Sequence, residues 1–258
     1  MKHTKNISKF YLFKLSIPIF FSNIAVPFVG LVDTGLMGHM GSEKFLAAIS
    51  IATSIITMIF WSFGFLRMGT VGIVSQSLGK NDWDEIILVF VRNLIIALFF
   101  GFLLIFLKDS ILSLTEHFFK ISEETQILIN KYVSIRIFSA PAELILYVIT
   151  GLYLGLQKTK IVSLGISMFC IGNIIISSIL VIHYKLEITG VAAGTLISAY
   201  STVIILLLFS YFKLKNKFSE KIVAKKIFNA KKLLKLLNIN FDIFIRTILL
   251  TFSFLWFT

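Results

Sequence analysis

Five ionisable residues stand inside otherwise apolar stretches of this chain: Asp33, Arg67, Arg92, Arg136 and Glu143. An ionisable group in hydrocarbon costs several kcal/mol, so it normally faces a cavity or a partner. Arg136 and Glu143 are seven residues apart, two helical turns, and share one helix face. The chemistry this predicts is a structural ion pair or a hydrogen-bond clamp between helices. Arg92 sits about six residues, or about 9 Å, from the inner end of its stretch and can snorkel toward water. Arg136 is placed similarly near an outer end. Arg67 lies deeper, about twelve residues from an inner end, and Glu143 is near mid-span, two residues after Pro141.

Asp33 is set apart by what precedes it. Pro18 and Pro27 lie 15 and 6 residues upstream in the same stretch. A proline inside a helix removes a hydrogen bond and permits a kink. Pro18 and Pro27 are therefore candidate hinges in a helix carrying an acid that protonation can neutralise. The competing reading is a helix-end aspartate at the outer interface, because Gly35, Gly38 and Gly41 follow closely. No other chemistry is visible. His3, His39, His117 and His183 fall in connectors or at span ends, with no metal-ligand spacing among them. There is no nucleophile elbow, phosphate loop or dinucleotide fingerprint. The sequence therefore predicts neither an enzyme nor a cofactor.

The elements that must position these residues follow from composition. Hydrophobic residues make up 57% of the chain and charged residues 15%, with a mean hydropathy of +0.91. That excludes disorder and makes an ordinary soluble enzyme a poor fit. Cys170 is the one cysteine, so there is no disulfide scaffold. An all-α integral membrane protein remains. Apolar stretches near 12–38, 46–78, 86–107, 132–156, 161–183 and 190–212 are each long enough to cross a bilayer. The first carries Asn23 and Asp33 in place of a small-residue cleavage site, so it is a retained span. A seventh stretch begins near Ile243.

The net charge of +12 implies topology and not nucleic acid. With the N-terminus inside, the inner segments hold 16 lysines, nine of them between Lys213 and Lys235. The outer segments hold five, namely Lys44, Lys108, Lys120, Lys131 and Lys185. This predicts a cytoplasmic N-terminus in a cell (inner) membrane. Residues 1–212 form a six-helix lobe in the lipid bilayer, 213–240 a basic and partly amphipathic cytoplasmic linker, and 241–258 the start of a seventh helix.

Several strings resemble the multidrug and toxic compound extrusion (MATE) transporters, and most of all their DinF branch. They are PIFFSNIAVPFVGLVDTGLMGHMGS (Pro18–Ser42), GFLRMGTVGIVSQSLGKND (Gly64–Asp82) and IRIFSAPAELILYVITGLYLGLQKTK (Ile135–Lys160). IGN (Ile171–Asn173) and GVAAGTLISAY (Gly190–Tyr200) follow in order. LFKLSIPIF at Leu12–Phe20 is similar to LLKLLNINF at Leu233–Phe241, a trace of the family's repeat. The resemblance implies a twelve-helix fold of two six-helix lobes, of which this chain is the N-terminal lobe, the linker and a truncated helix seven. The C-terminal lobe is then missing. It implies a secondary active exporter of organic compounds driven by H⁺ or Na⁺, with small cationic or apolar substrates.

By the same resemblance Asp33, in the VDT string, matches the coupling acid of helix one. Asn173 matches the helix-five asparagine and Thr195 the helix-six threonine. The helix-five aspartate of the family is absent, and its position holds Ser177. One carboxylate in place of two favours H⁺ over Na⁺, with Na⁺ at Asp33, Asn173 and Thr195 kept open. The rival readings are a flippase for lipid or polysaccharide precursors, and a non-transporting fragment.

Overall fold

The computed structural model describes residues 17, 20, 28–39, 43–118, 122–217, 236, 241–246 and 249. Among these there are helices and no strand. In chain order they are α1 (Phe28–Gly38), α2 (Glu43–Ser62), α3 (Phe65–Gly79), α4 (Trp83–Phe106), α5 (Lys108–Phe118), α6 (Glu123–Arg136), α7 (Ala140–Gly155), α8 (Thr159–Ser178) and α9 (Glu187–Leu214). Hydrocarbon offers no partner to a bare peptide group, so a spanning segment must bond its own backbone, which a helix does. Glu43–Gly79, Trp83–Phe106, Glu123–Gly155, Thr159–His183 and Glu187–Leu214 are long and apolar enough to span, with α1 shorter. The chain is a multi-pass membrane protein. Pro18, Pro27 and most of the linker lie outside the described residues.

Two turns at one end of the bundle are built alike. Asn81 takes a left-handed φ of 57° and Asp82 N–H donates to Ser77 O at 2.9 Å. Gln157 has φ 58° and Lys158 N–H donates to Tyr153 O at 2.8 Å. Both close the helix carbonyls in Schellman fashion and return the chain antiparallel. Asp82 then caps α4, accepting from Glu85 N–H at 3.0 Å.

Four features differ from the hydropathy reading. The stretch expected from 132 begins at Glu123, because Glu123 and Glu124 suit a helix N-terminus although they are polar. Arg136 is thereby moved from near an outer end to the interior. The long stretch 46–78 is broken between α2 and α3, where Phe63 and Gly64 N–H bond to Phe60 O and Trp61 O three residues back. The outer connector holds α5. The end of α8 winds as a π-turn over Ile179–His183.

Helix α7 lies at the centre of the bundle and packs on α3, α4, α8 and α9, while α6 packs on α2 and α9. The α3–α7 approach requires glycine. A Cβ on Gly151 would lie 2.8 Å from Arg67 O, and one on Gly155 would lie 2.8 Å from Val74 Cβ. Small residues let backbones meet where burial from water supplies no driving force between helices.

Candidate functional site

Helix α6 runs into a 3₁₀ turn, Ile137–Ser139, before α7 begins with Pro141 in its first turn. Pro141 has no N–H to give the preceding turn, and the Phe138 carbonyl takes a hydrogen bond from the Tyr200 hydroxyl at 2.9 Å. Across this turn Arg136 Nη2 meets Glu143 Oε1 at 2.5 Å. Arg136 Nη1 also donates to Ser139 Oγ, whose hydroxyl donates to Arg136 O at 2.7 Å. The guanidinium lies 5.2 Å from the Phe60 ring centre and within electrostatic range of Tyr132. Burial of Arg136 is thus matched by a carboxylate, the Ser139 hydroxyl and an aromatic face.

Asp33 on α1 is 5% exposed. Its carboxylate lies within electrostatic range of Arg136 and of Tyr132. Among the described residues its Oδ1 has no hydrogen-bond partner. Asp33 is therefore a buried acid and not an aspartate at a wet helix end.

A second polar group sits between α8 and α9. Asn173 Nδ2 donates to Thr195 Oγ1 at 2.6 Å, and Thr195 donates onward to Val191 O at 3.0 Å. Ser177 is fully buried one turn along from Asn173. It lies against Gly194, where a Cβ would come within 2.7 Å of the Ser177 backbone. Asn173 Oδ1 and Ser177 Oγ have no partner among the described residues. Asn173, Ser177 and Thr195 are thus brought together, and Asp33 is within electrostatic range of Arg136. The α6–α9 contact joins the elements that carry the two groups.

The remaining arginines lie elsewhere. Arg67 is exposed on α3, with its guanidinium 6.0 Å from the Tyr147 ring centre. Arg92 does not end in water. It is 1% exposed, and its Nη1 lies 3.3 Å from Glu85 Oε1 in a cavity of 410 Å³ lined also by Lys80, Asp82 and Leu236. A carboxylate near the end of α4 replaces the aqueous endpoint of snorkelling. Glu85 and Arg92 are seven apart, the same spacing as Arg136 and Glu143, so the signal for this pair was present in the sequence. Tyr132 gave no such signal, and neither did the Asn93–Thr70 hydrogen bond of 2.8 Å, because neighbours on other helices define both. At the turn before α8, burial together with Lys213 and Lys217 holds the Lys158 ammonium below the usual lysine range.

The described residues contain no group of three or more His, Cys, Asp or Glu able to hold a metal ion. What they offer is a set of buried neutral oxygens on α8 and α9 and one acid on α1. The MatE family profile matches residues 18–181, well over half of the chain. The chain belongs to the MatE family. It is similar to DNA damage-inducible protein F of Escherichia coli K12, at 32% identity over 94% of this chain and 53% of that one. The multidrug export protein MepA of Staphylococcus saprophyticus is 21% identical over 91% of this chain and 52% of its own. A solved MOP superfamily transporter from Pyrococcus furiosus superposes with a TM-score of 0.82 at 19% identity, covering 99% of this chain and 57% of that one. The latter likeness shows the fold alone. This MatE chain spans about half the length of the curated relatives it matches, and among them it is DinF-like.

Proposed function

We propose that the chain is the N-terminal lobe of a secondary active exporter, in which Asp33 is the acid that couples H⁺ or Na⁺ entry to the outward movement of small organic compounds. Residues 1–212 form the lobe, 213–240 the linker, and 241–258 the start of a helix that belongs to a second lobe. The N-terminus is cytoplasmic in a cell (inner) membrane. The protein carries a solute and does no bond chemistry. Asn173, Ser177 and Thr195 form the neutral wall of the coupling site. Pro18 and Pro27 let the first span bend when the charge on Asp33 is neutralised.

The observation that carries this reading is the burial of Asp33 with an oxygen that has no hydrogen-bond partner among the described residues. A buried charge left this way is costly, so its occupancy by a cation changes which packing of α1 is favoured. Repeat-built transporters work by rocking one lobe against the other about such a site. Small cationic or apolar compounds suit the many exposed aromatic and aliphatic side chains. The test is efflux of a fluorescent organic cation from vesicles holding this lobe together with a second MatE lobe. Efflux should collapse when the ion gradient is dissipated. Efflux driven by ATP alone, with no ion gradient, would contradict the reading.

A further inference from the structure

Arg67 is a charge within a membrane span that neither the α6–α7 clamp nor the coupling site uses. It lies twelve residues before Gly79, the inner end of α3, which is about 18 Å along the helix. That is twice the depth of Arg92 and more than an arginine stem covers by snorkelling. A cation at such depth faces a cavity or a partner. Arg67 is nevertheless exposed on the surface of this lobe, as is the next residue, Met68. Among the described residues it makes no ion pair. Its contact is the ring of Tyr147 on α7, whose centre is 6.0 Å from the guanidinium. Tyr147 is half-buried, and its hydroxyl makes no hydrogen bond among the described residues. The acid one turn before Tyr147, Glu143, is engaged by Arg136. Arg67 and Tyr147 thus set a guanidinium fork and a hydroxyl side by side, with no oxyanion to receive them.

We propose that Arg67, with the Tyr147 hydroxyl, is a subsite for the acid group of a transported apolar compound. The proposal rests on the exporter reading, and it extends the substrates from cationic and apolar compounds to apolar acids. Repeat-built transporters set their sites near the membrane midplane, where helices are interrupted. The α2–α3 break, with its three-residue hydrogen bonds to Phe63 and Gly64, ends three residues before Arg67. On the exporter reading the second lobe follows the helix that begins at 241. Phe244 of that helix meets Phe65 edge-on, with ring centres 5.8 Å apart. The second lobe is thereby led to this level of α3, and the exposed Arg67 is turned to the passage between lobes instead of to lipid. A carboxylate there gains a charge-assisted hydrogen bond from Arg67 and a neutral one from Tyr147, while Met68 offers an apolar seat for the rest of the compound. Arg67 and Tyr147 both touch the ligand, so both are binding residues.

The experiment is equilibrium binding of radiolabelled naphthoate and of naphthylmethanol, an uncharged compound of similar shape, to the purified chain in phosphatidylcholine nanodiscs, with empty nanodiscs subtracted. The readout is the preference for the carboxylate over the alcohol. The wild type should prefer naphthoate by on the order of tenfold to a hundredfold, the size of a charge-assisted hydrogen bond. Arg67→Gln should abolish the preference. Arg67→Lys should keep part of it, since the charge stays and the fork is lost. Tyr147→Phe keeps the ring beside Arg67 and should weaken naphthoate binding about fivefold, the size of a neutral hydrogen bond. Asp33→Asn should bind like the wild type. Arg67 is exposed and held by one ring contact, so these variants should fold, which circular dichroism and a monodisperse elution profile check. A preference that survives in folded Arg67→Gln would overturn the proposal. So would a wild type without preference, which would leave Arg67 to a carboxylate of the second lobe. The assay uses no ion gradient, so either failure leaves Asp33 as the coupling acid, and a failure of ion-coupled efflux leaves this binding result standing.

Discussion

Gly194→Ala tests the geometry that holds the α8–α9 wall together. A Cβ there would lie 2.7 Å from both Ser177 Cα and Ser177 N, about 0.7 Å short of the 3.4 Å at which ordinary contact begins. The obstacle is backbone, so no rotamer change relieves it, and α9 must move away from α8. The same displacement stretches the 2.6 Å Asn173–Thr195 hydrogen bond toward the limit of bonding. Overpacking of this kind costs about 1–3 kcal/mol, offset by about 1 kcal/mol from replacing glycine with alanine in a helix. Gly72→Ala is the control, since nothing lies within 4 Å of its Cβ and only the helix gain of about 1 kcal/mol applies. Reversible unfolding in mixed detergent micelles should therefore separate the two variants by about 1–3 kcal/mol, with Gly194→Ala the less stable. Equal stability, or Gly194→Ala the more stable, would refute the close approach of α9 to Ser177.

Ser177→Asp adds a second carboxylate to the wall and should bind ²²Na⁺ more tightly than the wild type; a folded variant with no gain in affinity would show that Ser177 does not face the ion. A reporter fused after Lys217 should be cytoplasmic and one fused near Glu116 external, and the reverse pattern would overturn the orientation read from the lysines. Lys158, partly buried and within electrostatic range of Lys213 and Lys217, has its ammonium disfavoured in the folded state. Its penalty is thus fully present at neutral pH and is relieved as pH rises from its depressed value toward that of an ordinary lysine. Lys158→Gln should accordingly raise the melting temperature at neutral pH and shrink the additional stabilisation given by anionic lipid. No change in either quantity would show that the three lysines do not interact.

Much of this architecture is legible in the chain because one rule dominates it. A stretch of apolar residues long enough to cross a bilayer has to be helical, and five such stretches appear where hydropathy places them. The places where hydropathy misleads are those where a local signal outweighs it. Glu123 and Glu124 look like loop residues, yet they start α6 and carry Arg136 inward. Phe63 and Gly64 sit in an unbroken apolar run, yet the run breaks there with three-residue hydrogen bonds. Arg136 and Glu143 were readable from spacing, because two helical turns return to one face. The pairing of Asn173 with Thr195 was reachable through family resemblance and not through periodicity, since it joins two helices. The burial of Asp33 depends on how α1 packs in the bundle, and nothing in that segment alone encodes it.

The most direct test of the central claim compares wild type with Asp33→Asn in proteoliposomes containing this lobe and its second lobe, with substrate efflux and ion entry recorded together. Asparagine keeps the size and most of the hydrogen-bonding capacity of the side chain while removing its charge. The account predicts that the variant still binds substrate at equilibrium but shows neither coupled ion entry nor gradient-driven efflux. Coupled efflux at the wild-type ratio of ion to substrate in Asp33→Asn would contradict it.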